Sequence, residues 1–207
     1  MKVNESGRSM IEMLGVLAII GVLSVGGIAG YSKAMSKYRV NKTVDQISHI
    51  AANTRILFSA QKDYADLASG TQADIIAKTK LFPDELGYDK TSKKGANAFA
   101  GDVTIEPSGR FNASADNKAF VIKYTNIPQE ACIDLLTIDW GTGTAGGIIS
   151  LGTAQGVATQ FSGKDTTDPT KNNCEAATGV ACGAMDVTAA VEACGNVNAN
   201  TLYFKFY

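Results

Sequence analysis

The chain has 207 residues, with 19 Lys plus Arg set against 20 Asp plus Glu, for a net charge of −1. That balance leaves no basic footprint for nucleic acid, so no nucleic-acid partner is expected of the subunit alone. Once the N-terminal stem, of which the apolar run is the first part, is set aside, about 150 residues are left, enough for one ordinary soluble domain with a single core.

Residues Met1 to Gly7 are short and polar and carry Lys2 and Glu5. From Met13 to Ser32 no residue is charged. As a helix, residues 13–31 would be roughly 28 Å long, close to the hydrocarbon thickness of a bilayer, so the segment can cross a membrane. A secretory signal peptide has an apolar stretch of about 7–15 residues and closes on a small-x-small cleavage site. This run is longer and leads directly into a segment bearing Lys33, Lys37 and Arg39. It reads either as an uncleaved anchor or as an apolar helix preceded by a leader that is cut off. Glu12 lies at the edge of the run, where a carboxylate in hydrocarbon is costly unless a cation faces it.

Gly7, four intervening residues, Glu12 and an uninterrupted apolar helix, all behind a leader of seven residues, resemble the type IV prepilins and the type II secretion pseudopilins. The resemblance implies that a prepilin peptidase cuts between Gly7 and Arg8 and methylates the new amino terminus of Arg8. It also implies that Glu12 serves assembly by meeting that ammonium group, in its own chain or a neighbour. The subunit would wait in the inner membrane of a bacterium, and an assembly platform would extract it into a helical polymer of itself at the cell surface. Two positions depart from the family's pattern: Arg8 stands where Phe, Met or Leu is usual, and Ala29 where many members carry a proline. Five glycines between Gly15 and Gly30 weaken the helix by up to about 1 kcal/mol each relative to alanine. Gly26 and Gly30 form a GxxxG pair, which lets helices approach closely. Lys33, Lys37, Arg39 and Lys42 outweigh Lys2 and Arg8, so charge alone favours the opposite orientation. The resemblance and the cysteines keep the leader cytoplasmic and the domain outside.

Val40, Val44, Ile47, Ala51, Thr54 and Phe58 recur in steps of three and four, which predicts a helix with one stripe facing a core. One helix over residues 8–60 is expected, roughly 80 Å long, with the wider segment closed by Ser69-Gly70. The chain's one histidine, His49, falls on this helix and reads as a solvated position. Asp74 to Phe82 predicts a short helix stopped by Pro83, and Glu85 to Asn97 a surface loop. Strands follow at Asp102 to Glu106 and Ala119 to Tyr124, joined by a turn at Pro107-Ser108-Gly109. Pro128 then opens a helix that carries Cys132, Leu135 and Leu136 towards the core. The order strand, Asn-x-Pro, helix, cysteine in YTNIPQEAC is similar to the type IVb pilins, where the cysteine begins a disulfide-closed C-terminal region. Further strands are expected at about Gly147 to Thr153 and Val157 to Phe161, with a polar loop over 162–173. The aromatic stretch Leu202 to Tyr207 is predicted to be an interior strand, because as an edge it would be adhesive.

Cys132, Cys174, Cys182 and Cys194 lie beyond the apolar run in spacings that suit disulfides rather than a metal site. Of the three connectivities, Cys132 with Cys194 and Cys174 with Cys182 are expected. The first staples the helix to the approach of the last strand, and the second closes a short loop. Gly141-x-Gly143-x-x-Gly146 lacks the strand-before, helix-after context of a dinucleotide site, and Gly163-Lys164 lacks the rest of a P-loop. Asp165, Thr166, Asp168 and Asn172 could hold Ca²⁺ in a 165–172 loop, but without the EF-hand pattern a solvated loop is the simpler reading. No other metal and no cofactor is expected. With a single histidine no catalytic triad can be assembled, so no enzyme activity is expected.

The expected fold is α+β: a long N-terminal helix packed on an antiparallel sheet. The leader is residues 1–7, the stem 8–60 with 13–31 as membrane or filament core, and the head 61–207 with its disulfide-closed region 132–194. The expected function is that of a structural pilin subunit serving adhesion, motility or a related task. A minor pilin or secretion pseudopilin is one alternative, and a signal-anchored adhesin domain that never polymerises is another.

Overall fold

The structure is a computed structural model that describes residues 6–68, 70–109, 117–140, 148–153, 180–181, 184–195 and 199–207. It divides into two compact units, residues 1–39 and 40–207. The first helix, α1, is Ser6–Phe58 and runs through both. No proline interrupts its 53 residues, so the backbone hydrogen-bond ladder can continue through the apolar run into the amphipathic part.

In the second unit α1 buries Val40, Thr43, Gln46, Ile47, Ile50, Ala51, Thr54 and Phe58. The three-and-four spacing is therefore a real core-facing stripe, with Gln46 and Ile50 widening it. A polar residue on such a stripe needs a local partner, and the Thr54 hydroxyl finds one by donating to the Ile50 carbonyl at 2.7 Å. The helix ends at Phe58, short of the expected Ala60. There Ser59 Oγ donates to the Ile56 carbonyl, and the chain turns so that Tyr64 packs its ring on Phe58 at 5.3 Å and Phe120 at 4.9 Å. Residues 65–67 form a single 3-10 turn.

Helix α2, Gln72–Thr79, also ends earlier than Pro83 would dictate. Lys80 adopts a left-handed conformation (φ 51°) and its N–H closes on the Ile76 carbonyl, which sends Leu81 and Phe82 into the core. The segment read as a surface loop is more ordered than expected. Residues 84–86 make a 3-10 turn with Leu86 fully buried, and Gly95–Ala96 pairs as a short strand, β1. Between them Asp89 accepts the Thr91 and Ser92 backbone N–H groups.

Strand β2, Asp102–Ser108, continues through the predicted turn at Pro107. β1 pairs only with Asp102 and Val103, so at Pro107 β2 is an edge, where a missing N–H costs little. β3 is Ala119–Ile127, longer than expected because a bulge between Tyr124 and Ile127 carries it on. At that bulge Asn126 has φ 61°, and its side-chain amide donates to the Phe99 carbonyl. Gly101 lies so near the Thr125 carbonyl oxygen that any Cβ there would collide with it. The Asn-x-Pro motif thus knits the 97–101 turn to the end of β3.

Helix α3 is Gln129–Thr137, with Pro128 as its cap rather than its first residue. β4 is Ile148–Gly152, β5 is Val180–Ala181, α4 is Val187–Ala193 and β6 is Asn200–Phe206. Helix α4 is absent from the sequence reading; its small, weakly patterned VTAAVEA gives little period, though Asp186 caps it by accepting the Ala189 N–H at 3.0 Å. The strand order β1-β2-β3-β6-β4-β5 makes one sheet whose paired strands are all antiparallel. β6 lies inside it between β3 and β4, so the aromatic C-terminal strand has no free edge. Val103, Ile105, Phe120, Ile122, Tyr124, Leu202, Phe204 and Phe206 join the α1 stripe in one core.

The structure pairs Cys132 of α3 with Cys194, the residue closing α4, across 62 residues of chain. The bond ties these two short helices together just before β6 begins. The expected partners Cys174 and Cys182, the 165–172 loop, the expected strand at 157–161, and the glycine motifs at 141–146 and 163–164 lie outside the described residues.

Candidate functional site

The feature needing explanation is the first half of α1. Among its residues, Met10, Ile11, Met13, Leu14, Leu17, Val22, Leu23, Val25, Ile28 and Tyr31 are all more than half exposed, and Val22 reaches 75%. A soluble monomer rarely shows an apolar patch of more than a few hundred Å². Each Å² left in water costs about 25 cal/mol, so this helix requires a cover. Its apolar window has a mean hydropathy of 2.2, and none of it is buried among the described residues. Lipid tails or the same helix on other copies are chemically suitable covers. A Cβ placed on Gly15, Gly21, Gly26, Gly27 or Gly30 would meet nothing within 4 Å, so the glycines notch the exposed surface where another helix could come close.

Glu12 is exposed on this same stretch between Ile11 and Met13. Arg8 precedes it by four residues in the same helix, about one turn. The leader residues 1–5 and the side chains of Gly7 and Arg8 lie outside the described residues.

The second half of α1 is instead clamped to the head by polar contacts as well as by its stripe. Gln46 Nε2 donates to Glu85 Oε1 at 2.7 Å, and Lys42 Nζ lies 3.0 Å from Glu85 Oε2. The Gln46 hydrogen bond first and Lys42 second hold the Glu85 carboxyl below its ordinary value. Near the helix end Arg55 Nε donates to the Tyr207 carbonyl at 2.8 Å, and its guanidinium lies 5.4 Å from the centre of the Phe206 ring. Burial pulls the Arg55 pKa down, against the opposing influence of Tyr64 and Tyr207, but an arginine so placed stays charged. Burial likewise pushes the Tyr124 phenol far up, so it stays protonated in the core. His49 is exposed, and its Nδ1 faces Asn53 Nδ2 at 3.1 Å. Arg55 and the Gln46–Glu85 pair were not singled out from sequence. Their signal was thin: an arginine three residues before the helix end and a glutamine on an otherwise apolar stripe.

The sequence matches the PilS N-terminal family over residues 37–205. It is 26% identical over 142 residues to the major structural subunit of bundle-forming pilus from Escherichia coli O127:H6 (strain E2348/69 / EPEC), covering 69% of each chain. Toxin coregulated pilin of Vibrio cholerae is 28% identical over 137 residues, 66% of this chain and 58% of that protein. Among solved structures, a type IV b pilin from Salmonella typhi superposes with a TM-score of 0.50 at 18% identity, covering 79% of this chain and 97% of that one, a likeness of fold. With a family match across most of the chain, pilin relatives and a pilin fold, this chain belongs to the PilS N-terminal family and is a pilin subunit.

Proposed function

We propose that the chain is made with a leader, residues 1–7, that prepilin peptidase removes between Gly7 and Arg8 with N-methylation of Arg8. The stem, 8–60, then has two successive covers. Residues 13–31 span the inner membrane, with the head 61–207 outside, until the assembly platform moves the subunit into a filament where the same residues pack against other stems. The observation that carries this reading is the exposed apolar surface from Met10 to Tyr31, which none of the described residues buries.

In this reading Glu12 selects the register of assembly. A carboxylate entering an apolar bundle is tolerated where it meets a cation, and the Arg8 ammonium of a neighbouring copy supplies one. The resulting cell-surface filament serves adhesion, motility or a related task. The pilus subunits of Escherichia coli and Vibrio cholerae that the chain resembles support the filament reading. The protein's own chemistry needs no cofactor for this role.

Replacing Glu12 with valine tests the assignment. The variant should accumulate as cleaved, membrane-held subunit and yield few filaments in sheared surface fractions, whereas normal piliation would contradict the role of Glu12. Recovery of N-methyl-Arg8 by N-terminal sequencing of the sheared band tests the processing step independently.

A further inference from the structure

Among the described residues from Val40 on, four large apolar side chains are exposed: Ile56 and Leu57 at the end of α1, and Val187 and Val191 on α4. They make two different shapes. Val187 and Val191 lie about one turn apart on α4, 64% and 47% exposed, while Ala190 on the same helix is fully buried, so the pair forms a ridge. Ile56 and Leu57 instead join Asn53, Thr79 and Leu81 around a groove of about 190 Å³ between the ends of α1 and α2. Small-molecule sites run to roughly 300–1,000 Å³, so this groove suits a side chain rather than a ligand.

Both surfaces are held in shape by the fold. Asp186 caps α4, the Met185 N–H just before it donates to the Leu136 carbonyl at 2.8 Å, and Cys194 at its end is bonded to Cys132. In the groove, Thr79 Oγ1 donates to the Ile75 carbonyl at 2.7 Å and Asn53 Nδ2 faces His49 Nδ1 at 3.1 Å. Those polar groups already have partners within the chain, so apolar contact is what the groove offers a neighbour. Surfaces shaped before they meet lose less entropy on binding.

The charges beside the two surfaces are opposite. Residues 184–195 carry Asp186 and Glu192 and no Lys or Arg, and both acids are exposed. The cations next to the groove residues in the chain are Arg55, Lys78 and Lys80. Arg55 is engaged with Tyr207 and Lys80 with Asp84, whereas exposed Lys78 makes no ion pair among the described residues. Glu192 makes none among them either.

We propose that the α4 ridge of one copy docks in the groove at Ile56, Leu57 and Leu81 of the next copy, with Glu192 beside Lys78. Ridge and groove are different patches of the same chain, so the contact is heterologous, and a heterologous contact that does not close into a ring repeats along an open polymer. The inference rests on the filament reading and adds to it a joint between heads, outside the apolar run.

Photo-crosslinking in sheared filaments tests the joint, with p-benzoylphenylalanine in place of Val191. Irradiation should give crosslinked dimers whose tryptic fragments join position 191 to residues 56–62 or 81–90 of another copy. Filaments that form but give no dimer, or dimers that join position 191 to other residues, α4 of another copy included, would overturn the joint. Charge reversal is the second measurement. Lys78→Glu and Glu192→Lys should each lower filament yield about twofold to fivefold, the worth of an exposed ion pair in every joint, and the double reversal should restore it. Both side chains are exposed, so the denaturant midpoint of the head should not move. Unchanged yield in both single variants, or a double variant no better than the worse single one, would overturn the pairing. Absence of filaments from cells making the wild-type chain would overturn the filament reading and the joint with it, which keeps the two failures distinct.

Discussion

Helix α1 is one secondary-structure element with two different surroundings. From Val40 to Phe58 it presents a stripe to the sheet and buries it almost completely, whereas from Met10 to Tyr31 its large apolar residues are more than half exposed. The local backbone is the same in both halves, so helix propensity does not account for the difference. What differs is where the apolar residues fall. On the second half they recur at three and four and alternate with Asn41, Asp45, Ser48 and His49, which gives one wet and one dry face. On the first half they surround the helix, and a helix that is apolar all round is buried by something other than water. The comparison separates what folds the protein from what assembles it.

The largest effect is expected from substituting across this divide. Phe204→Ala removes a fully buried ring from the central strand and should cost about 3–5 kcal/mol of head stability in denaturant unfolding. Ile19→Ala, at a position 63% exposed, should leave head stability within about 0.5 kcal/mol and instead reduce filament yield. Equal destabilisation by the two would break the comparison.

Removing the Cys132–Cys194 bond should come next. Closing 62 residues of chain restricts the unfolded state, and its loss, by replacing both cysteines with alanine, should cost about 2–5 kcal/mol as measured by denaturant midpoint. The apolar stem should insert in membranes as before, since neither cysteine lies on it.

The smallest effect concerns the polar clamp on α1. The Glu85 carboxyl is held below its ordinary value by Gln46 and then Lys42. A depressed acid contributes stability that is complete above its unfolded-state value, ordinarily 4.5, and is lost as pH falls through the lower folded-state value. The wild type should therefore lose slightly more stability below pH 4.5 than Glu85→Gln does in thermal melts across that range. Glu85 is exposed, so the difference should be small.

Which parts of this were legible in the sequence follows from how far each signal reaches along the chain. The stripe from Val40 to Phe58 was readable because a period repeated over five turns is a local signal. The interior place of β6 was readable because Tyr203, Phe204, Phe206 and Tyr207 together would make an untenable edge. The end of α1 was not. Phe58 stops the helix because Tyr64 must return to Phe120, a partner 56 residues further on that no local pattern announces. Pro107 resembles a turn locally, and only the tertiary pairing, in which β1 covers β2 no further than Val103, leaves the edge that accommodates it. For the assembly surface, the apolar run was plain in the sequence, but the open space around its five glycines is a property of the folded chain.

The central claim is that the exposed half of α1 becomes buried between copies. Met10 and Met13 lie on it, 68% and 64% exposed, whereas Met185 in the head is 6% exposed. Hydroxyl-radical footprinting of sheared filaments, read by mass spectrometry, places all three on one scale. The account predicts that Met10 and Met13 oxidise as slowly as Met185. Oxidation of Met10 and Met13 at the rate of a solvent-exposed methionine in the same filaments would contradict it.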